Sequence, residues 1–206
     1  IKATAGRVKL NGVDISAQGA PARAQAGLGR AFQLTNLFPN LTVRENVRLA
    51  VQARAGAGLN LWKIWSDRRD LIVRADEVLE TVALADKGEQ LASSLPHGDQ
   101  RKLEVGILMA LEPQVFMFDE PTAGMSVDEV PVILNLIRQL KADKTKTILL
   151  VEHKMDVVRE LSDRIIVLHN GELVADGDPA TVIASPVVQQ AYLGINPEEK
   201  EEEVTV

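Results

Sequence analysis

Residues 114–124, Gln114-Val115-Phe116-Met117-Phe118-Asp119-Glu120-Pro121-Thr122-Ala123-Gly124, decide the fold of this chain. Four apolar residues stand together without alternation, which is the pattern of a strand buried on both faces. Two carboxylates follow at once, and Pro121 bars the chain from continuing as a central ladder strand. Acids at the end of so apolar a strand carry a desolvation cost that something must offset. A hydrated Mg²⁺ and a nucleophilic water would do so, with Asp119 in the metal's shell and Glu120 polarising the water or taking its proton. The plainer reading is a strand end whose acids cap the next helix. The flanking sequence has to choose between them.

Downstream, residues 127–142 are amphipathic, with Val130, Ile133, Leu134, Ile137 and Leu140 as the inner stripe of a helix. Residues 146–151 (KTILLV) form a second fully apolar strand that ends in Glu152-His153. A helix is predicted over 155–161, and strands over 164–168 and 172–175, turned by Asn170-Gly171. Short helices with proline near their starts follow at 179–184 and 186–193.

Upstream, Leu95-Pro96-His97-Gly98-Asp99-Gln100 leads into an apolar helix that reaches about Leu111. Pro and Gly just ahead of a helix leave its first amides free, which makes an anion site. Residues 6–16 (GRVKLNGVDIS) read as a hairpin about Asn11-Gly12, and 20–26 as a short helical piece. Residues 28–33 (LGRAFQ) read as a strand that delivers Gln33 to its C-terminal end, where α/β sheets place ligand sites. After the loop 37–41, Thr42 and Glu45 form a capping box for a helix over 43–53, and another helix is predicted over 71–82. Trp62 and Trp65, three apart, share one side of a helix and read as packing residues. The whole is a largely parallel sheet, covered on both faces, with an all-helical insert between Gln33 and Leu95.

Bulk numbers set the class. The 206 residues are 46% hydrophobic, enough for one sizeable core or a core with a small subdomain. The formal charge is −6, of which the five Glu and one Lys of residues 198–203 carry −4; about −2 remains for the folded part. No basic field for nucleic acid exists, and the acidic tail reads as a solvated, disordered end. The absence of cysteine removes disulfides and thiolate chemistry. No apolar run approaches the ~18 residues of a membrane span.

Four features stand in one order: strand-end Gln33, a glycine turn at a helix N-terminus, Asp119-Glu120 after VFMF, and His153 after ILLVE. That order resembles the ATP-binding subunit of an ABC transporter. In the resemblance Gln33 matches the Q-loop, 95–100 the signature, 115–120 the Walker B strand, 123–126 with Ser126 the D-loop, and His153 the switch histidine. It implies a P-loop NTPase-like fold with the ATPase core in 1–36 and 113–194, a helical subdomain in 37–112, and the tail in 195–206. It further implies ATP and Mg²⁺ as cofactors, with Asp119 and Gln33 holding the metal. Glu120 would act on the attacking water, and His153 would contact the γ-phosphate and orient that water. Two copies would close head to tail, Pro96, His97, Gly98, Asp99, Gln100 and Ser126 facing the nucleotide of the other.

Two departures stand out. Pro96 replaces the usual signature serine, so the backbone amides from Gly98 onward must carry the phosphate contact. No G-x-x-x-x-G-K-[ST] loop occurs in the chain. The expectation is that about forty family residues precede Ile1, and that the fragment alone binds ATP poorly and is inactive.

GLGRAFQLTNLFPNLTVRENV, LPHGDQRKLEVGILMALEP, DEPTAGMS and ASPVVQQAYLG look like the branched-chain amino-acid importer subunits; urea and short-chain amide importers are similar. The resemblance implies a peripheral protein on the cytoplasmic face of the inner membrane. Its partners would be a second ATP-binding subunit, transmembrane permease subunits and, indirectly, a periplasmic substrate-binding protein, with no nucleic acid. A non-catalytic or non-transport ABC module is the alternative from another class.

Overall fold

The computed structural model describes residues 4–31, 37–56 and 69–190; Gln33, Trp62, Trp65 and the acidic tail lie outside them. The chain divides into two compact units, 1–151 and 152–206.

The first unit opens with a hairpin of β1 (Lys9–Leu10) and β2 (Val13–Asp14). Asn11 and Gly12 hold φ of 48° and 81° at its turn, the left-handed pair that a two-residue hairpin requires. The short helix α1 (Ala20–Gln25) leads into β3 (Leu28–Arg30). β3 pairs in parallel with β4 (Val115–Asp119), which pairs in parallel with β5 (Thr147–Val151). Their C-terminal ends therefore share one edge of the sheet, and Ala31 extends the ladder by donating to the Met117 carbonyl.

Between β3 and β4 the described residues are mainly helical. Thr42 caps α2 (Val43–Arg54) by accepting from the Glu45 amide at 3.1 Å. The Glu45 carboxylate turns instead to Arg48, at 2.8 Å. α3 (Arg69–Thr81) and α4 (His97–Ala110) pack with α2 around Val43, Val47, Leu71, Ala75, Val78, Leu79 and Leu103. α4 stops at Glu112, whose φ is 48°, before Pro113. Glycine at 29 lets α4 come down on the sheet: a Cβ there would stand 2.6 Å from both Leu108 and Pro113.

α5 (Val130–Ala142) begins three residues later than the sequence predicts. Ile133, Leu134 and Ile137 of the expected stripe are buried, and Leu136 joins them. Phe116 and Phe118 are buried and stack at 6.2 Å. The opposite row is a correction to the reading of two strands covered on both faces. Leu149 and Val151 are 52% and 54% exposed, and Met117, paired beside Leu149, is only half-buried, so among the described residues nothing fully covers this face. An apolar run reports what a strand is made of, not which of its faces is covered.

The second unit contains α6 (Met155–Leu161) and the antiparallel pair β6 (Ile165–His169) and β7 (Glu172–Gly177). Asn170 and Gly171 turn that pair with φ of 51° and 83°. α7 (Pro179–Ile183) is capped by Asp178, and α8 (Pro186–Val188) follows. Ile165, Val167, Val182 and Val188 make the core of this unit.

Candidate functional site

The site is built where the parallel strands of the first unit end. Asp119 is the last residue of β4, opposite Val151 of β5, and the Glu120 amide donates to the Val151 carbonyl at 2.9 Å. Glu120 then turns with φ of 46°, a left-handed conformation that costs a non-glycine residue about 1 kcal/mol or more. Its carbonyl accepts from Ala123 at 3.0 Å, which closes the turn that Pro121 begins. The two acids thus stand on one short, bonded bend at the end of the sheet.

Arg30, at the end of β3, donates to the Asp119 carboxylate at 2.9 Å, and that carboxylate is 27% exposed. A charge-assisted bond of this kind is how the strand-end acid is satisfied here. Mg²⁺ ordinarily takes one or two protein carboxylates and completes its octahedron with water and phosphate oxygens. Asp119 offers a carboxylate of that kind, partly open to solvent. Among the described residues no group of three or more His, Cys, Asp or Glu could hold a metal ion by itself. The donor set fits an ion that arrives with phosphate oxygens, not a resident metal centre.

α4 provides the other half of the arrangement. Pro96 sits at its N-cap and offers no side-chain cap. The Gln100 amide bonds back to the Pro96 carbonyl at 3.0 Å, so the amides of His97, Gly98 and Asp99 lead the helix without an intrahelical acceptor. Gln100's side chain donates to the Leu95 carbonyl at 2.9 Å and anchors the turn. The Asp99 side chain is engaged within its own unit. It is buried and ion-paired with Lys87 and, at 2.8 Å, with Lys102. Burial alone would raise its pKa, but the two ammonium groups outweigh that and leave it below the ordinary carboxylate range.

The loop after Glu120 runs back against this turn. The exposed His97 ring lies beside Gly124, which holds φ of 71°. Ser126 donates to Glu129 through its amide at 3.0 Å and its hydroxyl at 2.9 Å. The amide bond first, then the hydroxyl bond, hold the Glu129 carboxyl below its usual range. That carboxylate rests on Gly98, where any Cβ would overlap it. The structure therefore brings together Asp119, Glu120, Pro96, His97, Gly98, Gln100 and Ser126 in one unit. His153 belongs to the second unit, 64% exposed, and Gln33 lies outside the described residues.

Three residues that the sequence reading did not single out shape this region. Arg30 seats on Asp119. Arg101 of α4 donates to the carbonyls of Asp119, Glu120 and Pro121. Asn46, 2% exposed, accepts from the Phe38 amide and donates to the carbonyls of Phe38 and Thr42, which ties down the loop ahead of α2. The partners of Arg30 and Arg101 lie too far along the chain to leave a local pattern; Asn46, whose partners are four and eight residues away, is hinted at only as a polar residue on the apolar side of its helix.

Comparison with known proteins matches this geometry to a family. The family model described as ABC transporter matches residues 1–123. The chain is 38% identical over 200 residues to the high-affinity branched-chain amino acid transport ATP-binding protein LivG of Escherichia coli K12, covering 94% of this chain and 78% of LivG. It is 35% identical over 198 residues to BraF of Pseudomonas aeruginosa, which bears the same description, covering 93% and 77%. Among solved structures, MJ1267, an ATP-binding cassette of an ABC transporter, superposes with a TM-score of 0.77 at 28% identity, over 93% of this chain and 78% of that one. The chain belongs to the ABC transporter family and is one of its ATP-binding, ATP-hydrolysing subunits.

Proposed function

We propose that the chain energises an importer of branched-chain amino acids by hydrolysing ATP between two such subunits. The observation that carries this is the adjacency, in one unit, of the Asp119-Glu120 bend and the uncapped N-terminus of α4. A strand-end acid pair and a ring of free amides are the two complementary halves of a phosphate-hydrolysing interface. The identity with LivG and BraF over nearly the whole chain supports the branched-chain substrate class.

Bound Mg²⁺–ATP supplies the phosphoryl group that water attacks. In this reading Asp119, which now accepts from Arg30, and Gln33 are the residues that would hold the ion. Glu120 accepts the proton of the water, its backbone fixed by the Val151 and Ala123 bonds. His153 is the group that would orient that water. The amides of His97, Gly98 and Asp99 face the nucleotide held by the other subunit, which is consistent with Pro96 needing no hydroxyl. Ser126 positions the loop between these two halves.

The partners of this reading are a second ATP-binding subunit, transmembrane permease subunits and a periplasmic substrate-binding protein. Residues 37–112, with the Gln33 loop, form the docking side toward the permease. Among the described residues no helix is long and apolar enough to cross a membrane, which suits a subunit held peripherally on the cytoplasmic face. Uptake measured with the assembled transporter in vesicles tests the substrate class. ATP-dependent accumulation of leucine, isoleucine or valine is the expected result; accumulation of urea or a short amide in their place would move the proposal to that group.

A further inference from the structure

We infer that Arg101 is a positioning residue for Glu120, a role that rests on reading Glu120 as the acceptor of the water's proton. Arg101 lies one turn into α4, with its side chain only 8% exposed. Its Nε donates to the Pro121 carbonyl at 3.3 Å, and its Nη2 to the carbonyls of Glu120 at 3.2 Å and Asp119 at 3.4 Å. Its Nη1 donates to Glu104 Oε2 at 2.8 Å, and Glu104 is equally buried. Three consecutive carbonyls of the acid bend are thus gathered by one planar fork of donors.

The bend has reason to be held in this way. Glu120 sits at φ of 46°, which an L residue keeps only when its surroundings impose it. A guanidinium presents five N–H groups in fixed directions; an ammonium on a lysine stem cannot reach three carbonyls and Glu104 at once. A buried cation is expensive unless it is paired and fully bonded, and Glu104 with the three carbonyls meets that condition. Because Arg101 rides on α4, the helix whose first amides face the other subunit's nucleotide, the same rigid element sets both the phosphate seat and the direction of Glu120.

The test is the transporter assembled with Arg101→Met/Glu104→Leu, a double change that leaves no orphaned buried charge and keeps side-chain volume. Its melting temperature is expected to fall only modestly, since apolar replacement of a buried pair is commonly neutral or stabilising and the Glu120 carbonyl keeps its bond from Ala123, while the Pro121 carbonyl loses its Arg101 donor. The kcat for ATP hydrolysis is expected to fall by about a hundredfold, the scale of a misplaced reacting group, with the KM for ATP within about twofold. Hydrogen exchange at the Glu120 and Ala123 amides is expected to accelerate by about tenfold while the amides of the second half of α4 keep their rates. Arg101→Lys is expected to restore neither readout. Unaltered kcat, or unaltered exchange at those two amides, would overturn the inference. Glu120→Gln measured alongside separates the two layers. Hydrolysis that survives it removes the role of Glu120, whereas the exchange result still judges the clamp.

Discussion

Two glycine-to-alanine substitutions in the first unit should differ in an order opposite to the depth of their overlaps. At Gly98 an added Cβ runs into the Glu129 carboxylate; at Gly29 it stands 2.6 Å from Leu108 Cδ1 and Pro113 Cγ and 2.9 Å from Pro113 Cβ. The first overlap is the deeper, but what it meets is the end of a half-buried acid, which can swing away by giving up its two bonds from Ser126. Alanine inside a helix also gains up to about 1 kcal/mol over glycine. Gly98→Ala should therefore stay within about 1 kcal/mol of the unaltered protein. At Gly29 the obstacle is a proline ring and a packed leucine between strand and helix, and neither has room to move. Overpacking of that kind costs about 1–3 kcal/mol, a melting point lower by about 2–12 °C in a chain of this size. Thermal unfolding of both variants under identical conditions decides it. A Gly98→Ala protein less stable than Gly29→Ala would refute the argument that the compliance of the neighbour, not the size of the overlap, sets the cost.

Three further outcomes follow from the same geometry. Asp99→Asn should lower the melting temperature at neutral pH. Because the folded carboxyl titrates below its ordinary value near 3.8, its stabilisation is complete above about pH 4 and is lost as pH falls through the lower, folded value. The gap between variant and unaltered protein should thus close on acidification; a gap independent of pH down to acid unfolding would contradict the ion-pair assignment. Asn46→Ala should destabilise by about 1–3 kcal/mol, read by denaturant unfolding, because the Phe38 amide loses its acceptor, while the Phe38 and Thr42 carbonyls keep their bonds from the Leu41 and Asn46 amides. Thr42→Ala should cost about 1 kcal/mol in the same assay, the usual worth of an N-cap.

What the sequence made legible is what local chemistry determines. Asn-Gly at 11–12 and 170–171 announces two hairpins because both residues tolerate the positive φ the turn needs, and both pairs adopt it. The VFMF run ending in Asp119-Glu120 places two acids at a parallel strand's end, as found. Thr42 is legible as a cap, but its expected partner is not. Glu45 is closer to a buried arginine on its own helix, and the side chain takes that partner. Arg30 on Asp119 and Arg101 on the bend were beyond reach, since each joins residues separated by a helix or more and depends on packing no single segment encodes. The start of α5 was misplaced for a similar reason. Ser126 and Glu129 bond to each other in a turn that delays the helix, and Pro131 is then accommodated in its first turn.

The chemistry on water is assigned to the Glu120 carboxylate, one residue past the end of β4. ATP hydrolysis by the assembled transporter carrying Glu120→Gln, with nucleotide binding measured in parallel, tests it most directly. Hydrolysis is expected to be lower by at least about a hundredfold, the contribution of a positioned general base, with nucleotide still bound. Hydrolysis within about twofold of the unaltered transporter would contradict it.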